Sequence, residues 1–380
     1  MKQVLITDAV TITSLGNDLE QLWQGLMSGK TGIKTVRHFP VENYTSKYAA
    51  CIEDLVLLGT RNKNSRIRAL LDRLLANMFP VPADSFLITA TTKSGIDNLE
   101  QLCRENRTDT QDILLSTILD IVSQKLKLTA KGTNINAACA SSTIAIAHGA
   151  ARIASGKVNS VLVCCIDIIT EFIFSGFSSL KALSSFPCRP FSRTRCGLTP
   201  GEGAAAILLM SEDRAKKENL RSLGRVVGWG VSNDATHITA PAQDASGLTR
   251  AVGQALKRAN LKKQDIGAIS AHGTGTVYND LMELNAFRQI FGEHQVPVYS
   301  VKGSIGHTMG AAGGIEVALG LKALSTGVVP PTVGFSDPED GTKGLLSSKP
   351  KVISTDFLLT TNSGFGGINA AIILAKGESK

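Results

Sequence analysis

The chain has 380 residues, 43% of them hydrophobic and 5% aromatic, with a formal charge of +8, which suits a soluble globular protein with one large core or two fused subdomains. No apolar stretch approaches the roughly 20 residues needed to span a bilayer, and seven cysteines without a framework spacing argue for a reducing compartment, the cytoplasm. The basic residues are scattered, without aromatic interleaving, zinc-finger spacing or a basic helix, which speaks against nucleic acid and leaves an acidic protein partner.

Residues 1–16 carry a short apolar run broken by Asp8, which reads as a buried strand and not as a signal peptide. Two denser basic groups follow, Arg61, Lys63, Arg66 and Arg68, then Lys125, Lys127 and Lys131. Each is either a solvated face or a docking patch, with Lys63, Arg66, Arg68 and Lys127 as the docking candidates. Residues 85–91 read as a strand that enters a Lys/Ser/Gly turn and then a helix over 96–103.

Cys139 stands next, between an extended run and a long small-residue helix pattern over 141–153. A thiol at a helix N-terminus faces unpaired N–H groups and the positive end of the macrodipole, and both favour the thiolate. A lone buried cysteine more often merely packs. Two later segments shift the balance, Ala271-His272-Gly273-Thr274-Gly275-Thr276 and Ser300-Val301-Lys302-Gly303-Ser304-Ile305-Gly306-His307. One cysteine and two histidines, far apart in sequence and in glycine-rich strand-to-helix segments, fit nucleophilic acyl transfer; no pair has a zinc-site spacing, so no metal is expected.

The two halves of the chain repeat one series of elements. The strand at 85–91 has its counterpart at 266–272, which runs into a Gly/Thr turn and a helix over 281–290. The Cys139 segment, followed by the strand 160–165, matches the His307 segment with its small-residue helix over 309–325. Gly201-Glu202-Gly203 leads into the apolar run 204–210 as Gly364-Phe365-Gly366-Gly367 leads into 368–374. The strands are apolar throughout, which suits sheets covered on both faces. The expectation is an α/β protein of two related halves, residues 1–215 with the nucleophile and 216–380 with the histidines and lysine, layered around shared helices. Under this alignment Thr91 takes the place of His272.

These residues resemble the β-ketoacyl-acyl carrier protein synthases, the elongating condensing enzymes of the thiolase superfamily. The match runs from Leu15-Gly16-Asn17 and Gly29-Lys30-Thr31-Gly32-Ile33 through Ala138-Cys139-Ala140-Ser141-Ser142, Arg189-Pro190-Phe191 and Asp234 to Pro241. It continues through His272-Gly273-Thr274-Gly275-Thr276 with Asp280, Lys302, Gly306-His307, Glu316 and Asn362-Ser363-Gly364-Phe365-Gly366-Gly367.

The resemblance implies a thiolase-like fold of two βαβαβαββ halves in an αβαβα arrangement. It implies a decarboxylating Claisen condensation of an acyl chain on Cys139 with malonyl-acyl carrier protein, giving 3-oxoacyl-acyl carrier protein. Cys139 would be the nucleophile, and neutral His272 and His307 would donate to the enolate oxygen. Lys302 would hold the charge balance with Glu316, and Asp280, Thr274 and Thr276 would support the His272 loop. The amides of Cys139 and Phe365 would form the oxyanion hole, with Phe365, Gly364 and Gly366 gating the acyl pocket and His237 at the gate or merely exposed. It implies no cofactor beyond the phosphopantetheine of acyl carrier protein, and a homodimer or a heterodimer with a related subunit. Rate would fall as pH drops through the histidine range near 6.5.

The stretch 37–82 is shorter than in such enzymes, Asn136-Ala137 precedes the nucleophile, and the segment after Arg189 lacks the customary aspartates. These departures point to a specialised branch serving polyene or polyketide chains. A thiolase would need a second cysteine near the last glycine turn, and none follows Cys196. An initiating enzyme would carry asparagine for one histidine. The remaining alternative is a non-catalytic, chain-length-determining partner subunit, which usually loses the cysteine that this chain keeps.

Overall fold

A computed structural model describes residues 1–55, 65–78, 80–105, 112–339, 342 and 344–377. Ten strands form the main sheet: β1 (Val4–Thr13), β2 (Phe86–Ala90), β3 (Thr133–Ile135), β4 (Ser160–Asp167), β5 (Gly203–Ser211), β6 (Gly224–Asn233), β7 (Ala268–Ser270), β8 (Val298–Tyr299), β9 (Phe357–Gly364) and β10 (Ile368–Lys376). The helices are α1 (Leu19–Met27), α2 (Arg66–Ala76), α3 (Asp97–Glu105), α4 (Ser116–Lys125), α5 (Ser141–Ala154), α6 (Glu171–Ser179), α7 (Glu212–Lys217), α8 (Ser246–Ala259), α9 (Val277–Phe291), α10 (Lys302–Ile305) and α11 (Ala312–Thr326). No helix among the described residues is long and apolar enough to cross a membrane.

The strand order is β8-β7-β9-β10-β6-β1-β5-β4-β2-β3. Read outward from the middle, β1-β5-β4-β2-β3 and β6-β10-β9-β7-β8 are the same order, so the repeat seen in sequence is a repeat in space. In each half the second, third and fourth strands run parallel and the fifth runs antiparallel beside the first. The halves meet through β1 and β6, which pair only at Leu5 with Arg225 and Ile6 with Gly224. Hydrogen bonding therefore runs unbroken through ten strands.

Both faces of the strands are apolar and alternate in destination. Leu87, Leu162 and Leu208 point outward onto Ile67, Leu70 and Leu74 of α2 and Ile118 of α4. Their neighbours Ile88, Val163 and Ile207 point inward onto α5 and α11, where Leu358 and Ile372 of the other half also arrive. Leu359 and Ile373 turn outward again, onto Leu248 and Val252 of α8 and Phe287 of α9. Helix, sheet, helix, sheet and helix are thus stacked, the αβαβα arrangement of the thiolase-like fold. Helix α2 shows the cause of the outer layer: Ile67, Leu70, Leu71 and Leu74 make one apolar face, and the Ser65 hydroxyl caps its N-terminus by accepting from the Ile67 amide at 3.1 Å. Each such buried side chain contributes about 1.5–3 kcal/mol relative to exposure.

The central helices are buried along most of their length, α5 keeping only Ile144, His148, Ala151 and Arg152 partly exposed. Every residue of α11 from Ala312 to Leu321 is buried, and α5 buries Ala145, Ile146, Gly149 and Ala150. Their small residues permit contact close enough to exclude a methyl group: a Cβ on Gly313 would lie 2.0 Å from Thr143 Oγ1, and one on Gly314 would lie 2.3 Å from Cys165 Sγ.

Two sequence expectations shift. The strand expected over 266–272 is regular only over Ala268–Ser270; the Gly267 and Ala271 amides still donate to the Phe357 and Tyr299 carbonyls at 3.1 and 2.9 Å, and beyond them the His272 and Gly273 amides turn to the Glu283 carboxylate. The helix expected over 309–325 begins with a 3-10 turn, Met309–Ala311, before α11. Strand β6 has no equivalent among the sequence expectations; it carries three glycines, Gly224, Gly228 and Gly230. The last two are required by packing: a Cβ on Gly228 or Gly230 would lie 2.3 or 1.9 Å from carbonyl oxygens of α8.

Candidate active site

Cys139 sits on a strained corner. Ala138 before it has φ 48°, a left-handed value, and α5 begins two residues after it. Ser141 clamps the corner, its hydroxyl donating to the Ala138 carbonyl at 2.5 Å and accepting from the Ala137 amide at 2.8 Å. The glycine turn after β9 packs on the same corner: a Cβ on Gly364 would lie 3.1 Å from the Cys139 nitrogen. Glycine at 364 therefore leaves the Cys139 amide approachable, beside Phe365.

His272 follows β7 and His307 follows α10. The His307 amide donates to the Thr199 carbonyl at 2.7 Å, and its carbonyl accepts from the Gly201 amide at 2.9 Å, so residues of the first half grip a histidine of the second. A Cβ at Gly201 would fall 2.1 Å from the Ile305 carbonyl, which explains that glycine. The two imidazoles meet edge to face, centroids 5.1 Å apart at 88°. Cys139, His272, His307, Thr274, Thr276 and Phe365 all line one cavity of about 460 Å³, whose lining also takes in His237, Lys181 and Tyr278.

Lys302 lies outside that lining. Its ammonium, 1% exposed, donates to Glu316 Oε1 at 2.6 Å. Glu316 Oε2 accepts from Asn362 Nδ2 at 2.7 Å, and the same nitrogen lies 3.1 Å from His272 Nδ1. Burial pushes the Glu316 carboxyl up, while the Lys302 ammonium and these hydrogen bonds pull it down. Pairing at 2.6 Å, with both groups buried, makes the ionised pair the form that matters here.

Burial holds both histidines well below their usual value near 6.5; Lys302 adds to this for each, and His307 adds to it for His272. They are neutral donors well into acid. Burial also pushes the Cys139 thiol up to about 12, only partly opposed by Lys302. The thiolate expected from the helix N-terminus is thus outweighed, and the resting group is the thiol. The same correction applies to the expected pH dependence near 6.5, since neither imidazole titrates there.

Asp280 accepts from the Gly275 amide at 3.2 Å and the Phe191 amide at 2.7 Å, holding the loop after His272. The Thr274 and Thr276 hydroxyls bond each other at 3.0 Å. His237 is exposed at the cavity wall, its Nδ1 accepting from the Thr239 and Ala240 amides at 3.1 and 3.0 Å. Its neighbour Ile238 accepts from the Gly366 amide at 2.6 Å, which ties this loop to the Phe365 turn. Phe365 also meets Phe177 edge to face at 6.2 Å.

The docking residues separate. Arg66 is buried, its guanidinium bonded to Glu202 at 2.6 Å and to the Ile169 carbonyl at 2.9 Å, so it presents no charge to a partner. Arg68 pairs with Asp112 at 2.6 Å, Lys127 is exposed, and Lys63 lies outside the described residues.

Two family models match, the N-terminal domain of beta-ketoacyl synthases over residues 89–215 and their C-terminal domain over residues 223–336, together more than half the chain. The chain belongs to the beta-ketoacyl synthase family. A relative named 3-oxoacyl-[acyl-carrier-protein] synthase 2, from Vibrio harveyi, is 28% identical to this synthase over 409 residues, 99% of each chain. A mitochondrial relative from Schizosaccharomyces pombe is 30% identical over 429 residues, again 99% of each. The solved structure of the ishigamide ketosynthase/chain length factor superposes with a TM-score of 0.89 at 26% identity, covering 99% of both chains.

Sequence reasoning assigned no role to Glu283, Asn362 or Thr143 of the synthase. Glu283 accepts from the His272 and Gly273 amides at 2.7 and 2.6 Å and from Asn279 at 3.0 Å, and burial pushes it up to about 7. An acid flanked by Met282 and Leu284 on a buried helix face was its available signal. Asn362 and Thr143 stand among other polar residues, Thr360, Thr361 and Ser363 on β9 and Ser141 and Ser142 on α5, so sequence alone singles out neither.

Proposed function

We propose that the protein is a 3-oxoacyl-acyl carrier protein synthase that condenses an acyl chain held on Cys139 with malonyl-acyl carrier protein. The observation that carries this reading is the convergence of Cys139, His272 and His307 on one cavity, with the buried Lys302–Glu316 pair behind them.

In the first step the Cys139 sulfur attacks the acyl thioester of a carrier protein while its proton passes through an imidazole to the leaving pantetheine thiolate. Cys139 and Phe365 amides offer hydrogen bonds to the tetrahedral oxyanion. In the second step the malonyl carboxylate leaves as carbon dioxide. The electron pair moves onto the thioester enolate, whose oxygen receives hydrogen bonds from His272 and His307. The enolate carbon then attacks the Cys139 thioester; the thiolate departs and takes a proton from solvent. Depressed histidine pKa values suit this step, since neutral imidazoles donate without supplying a charge that must be neutralised.

Substrates arrive on the phosphopantetheine of acyl carrier protein, and no further cofactor takes part. Lys127 and the partly exposed Arg68 are the remaining described docking candidates, and a second copy or a related subunit completes a dimer. The cytoplasm keeps the seven cysteines as free thiols. A purely chain-length-determining subunit has no use for a thiol and two imidazoles around one cavity, so that reading ranks below the enzyme.

The test is incubation with acyl-carrier and malonyl-carrier proteins, followed by intact mass and carbon dioxide release. Acylation lost in Cys139→Ala and decarboxylation lost in His307→Ala support the assignment. Absence of both signals in the unmodified protein, with candidate partner subunits present, overturns it.

A further inference from the structure

We propose that Asn362 is a positioning residue that fixes the tautomer of His272, placing the ring proton on Nε2 and leaving Nδ1 as an acceptor. The proposal deepens the function given above, in which His272 donates to an enolate.

Asn362 is wholly buried at the cavity-side end of β9, and each of its polar atoms has a partner. Oδ1 accepts from the Thr143 hydroxyl on the first turn of α5. Nδ2 carries two hydrogens, and two acceptors stand within reach: Glu316 Oε2 at 2.7 Å and His272 Nδ1 at 3.1 Å. The reverse amide orientation would set Oδ1 against the Glu316 carboxylate, two acceptors facing each other in a buried site. Lys302, 2.6 Å from the other Glu316 oxygen, keeps that group a carboxylate and so keeps it an acceptor. The amide orientation is therefore set by the ion pair.

With one Nδ2 hydrogen given to Glu316, the other points at His272 Nδ1. A neutral imidazole has one N–H, and a proton on Nδ1 would face the Nδ2 hydrogen directly. The proton therefore resides on Nε2. The chain Lys302, Glu316, Asn362, His272 carries orientation from a buried charge to a donor at the cavity without giving the imidazole a charge. His307 differs: its Nδ1 is buried with no hydrogen-bond partner among the described residues, so only one of the two rings is set by an amide.

The test is a long-range proton–nitrogen correlation spectrum of the protein carrying nitrogen-15 histidine, with His272 assigned by the signal lost in His272→Ala. The full-length protein is expected to show His272 with Nε2 protonated and Nδ1 bare. Asn362→Asp keeps the shape but supplies an oxygen that, beside Glu316, can only accept from the ring. Its His272 pattern is expected to invert, with malonyl decarboxylation reduced on the order of a hundredfold. A wild-type His272 protonated at Nδ1 overturns the proposal even if the variant does not fold, as does an unaltered tautomer in Asn362→Asp. Absence of decarboxylation in a wild-type protein whose His272 carries its proton on Nε2 would sink the condensing reaction while leaving the tautomer assignment standing.

Discussion

Ala138 and Met309 share one strained backbone conformation, φ 48° and 49°, and each stands three residues ahead of a central helix, α5 or α11. Two non-glycine residues in the left-handed region, at about 1–3 kcal/mol each, mark equivalent corners of the two halves. Gly310 then occupies the place that Cys139 occupies in the first half. Its amide is taken by Asp167 Oδ2 at 2.6 Å, a carboxylate that also accepts from Thr91 and from the amide and hydroxyl of Thr92. The second corner is thus filled from within the protein, and the Cys139 corner faces the cavity.

The pH dependence follows from Glu283 and not from the imidazoles. Burial holds His272 and His307 well below 6.5, so neither gains a proton as pH falls through that value. Glu283, pushed up to about 7 by burial, gains one, and its grip on the His272 and Gly273 amides weakens. Malonyl decarboxylation is expected to fall as pH drops below about 7, and Glu283→Gln to abolish that limb at a plateau roughly tenfold lower, from the loss of hydrogen bonds to a charge. A limb that persists in Glu283→Gln would return the titration to the imidazoles.

Gly313→Ala places a methyl group 2.0 Å from Thr143 Oγ1 and 2.7 Å from Asn362 Oδ1. The two central helices must separate or the Thr143–Asn362 bond must break. The expected cost is about 1–3 kcal/mol in chemical unfolding, as for other overpacked cores. Decarboxylation should suffer more than Cys139 acylation, and equal losses would show that the change acts through stability alone.

Lys302→Met leaves the Glu316 carboxyl, 2% exposed, without its ammonium partner. Unfolding free energy is expected to drop by about 3–5 kcal/mol, and the double change Lys302→Met with Glu316→Leu to recover most of it, while activity stays lost in both. A single variant as stable as the parent would mean that Glu316 holds its own proton.

Arg66 and Lys127 should part company when replaced. Arg66→Ala strands the fully buried Glu202 and is expected to lower stability by about 3–5 kcal/mol, with the KM for carrier protein unchanged in the folded fraction. Lys127→Glu should leave stability alone and raise that KM, more so at low salt. Thermal melts beside KM titrations separate the two; a raised KM in Arg66→Ala would restore it to the docking surface.

The meeting of Cys139, His272 and His307 at one cavity was legible because the histidines stand in glycine-marked segments and the cysteine at the head of a small-residue helix, in a distinctive order along the chain. The repeat was legible because apolar runs and small-residue helices recur in one order. Arg66 was misplaced because sequence shows the charge and hides its partner: Glu202 lies 136 positions away. Asn362 escaped for the same reason, since Glu316, Thr143 and His272 meet it only in the folded chain. The titration of the site was misread because burial, which dominates Cys139 and both histidines, depends on how completely the central layer closes.

The grip of Thr199 and Gly201 on His307 makes one peptide segment answerable to both halves of the molecule. The amide hydrogens of Gly201 and His307 should consequently exchange with solvent in a single concerted opening, however differently the outer helices of each half breathe. Any loosening that frees one half would withdraw an imidazole from the thiol's cavity before either half had unfolded, so activity is the most sensitive gauge of the seam's integrity.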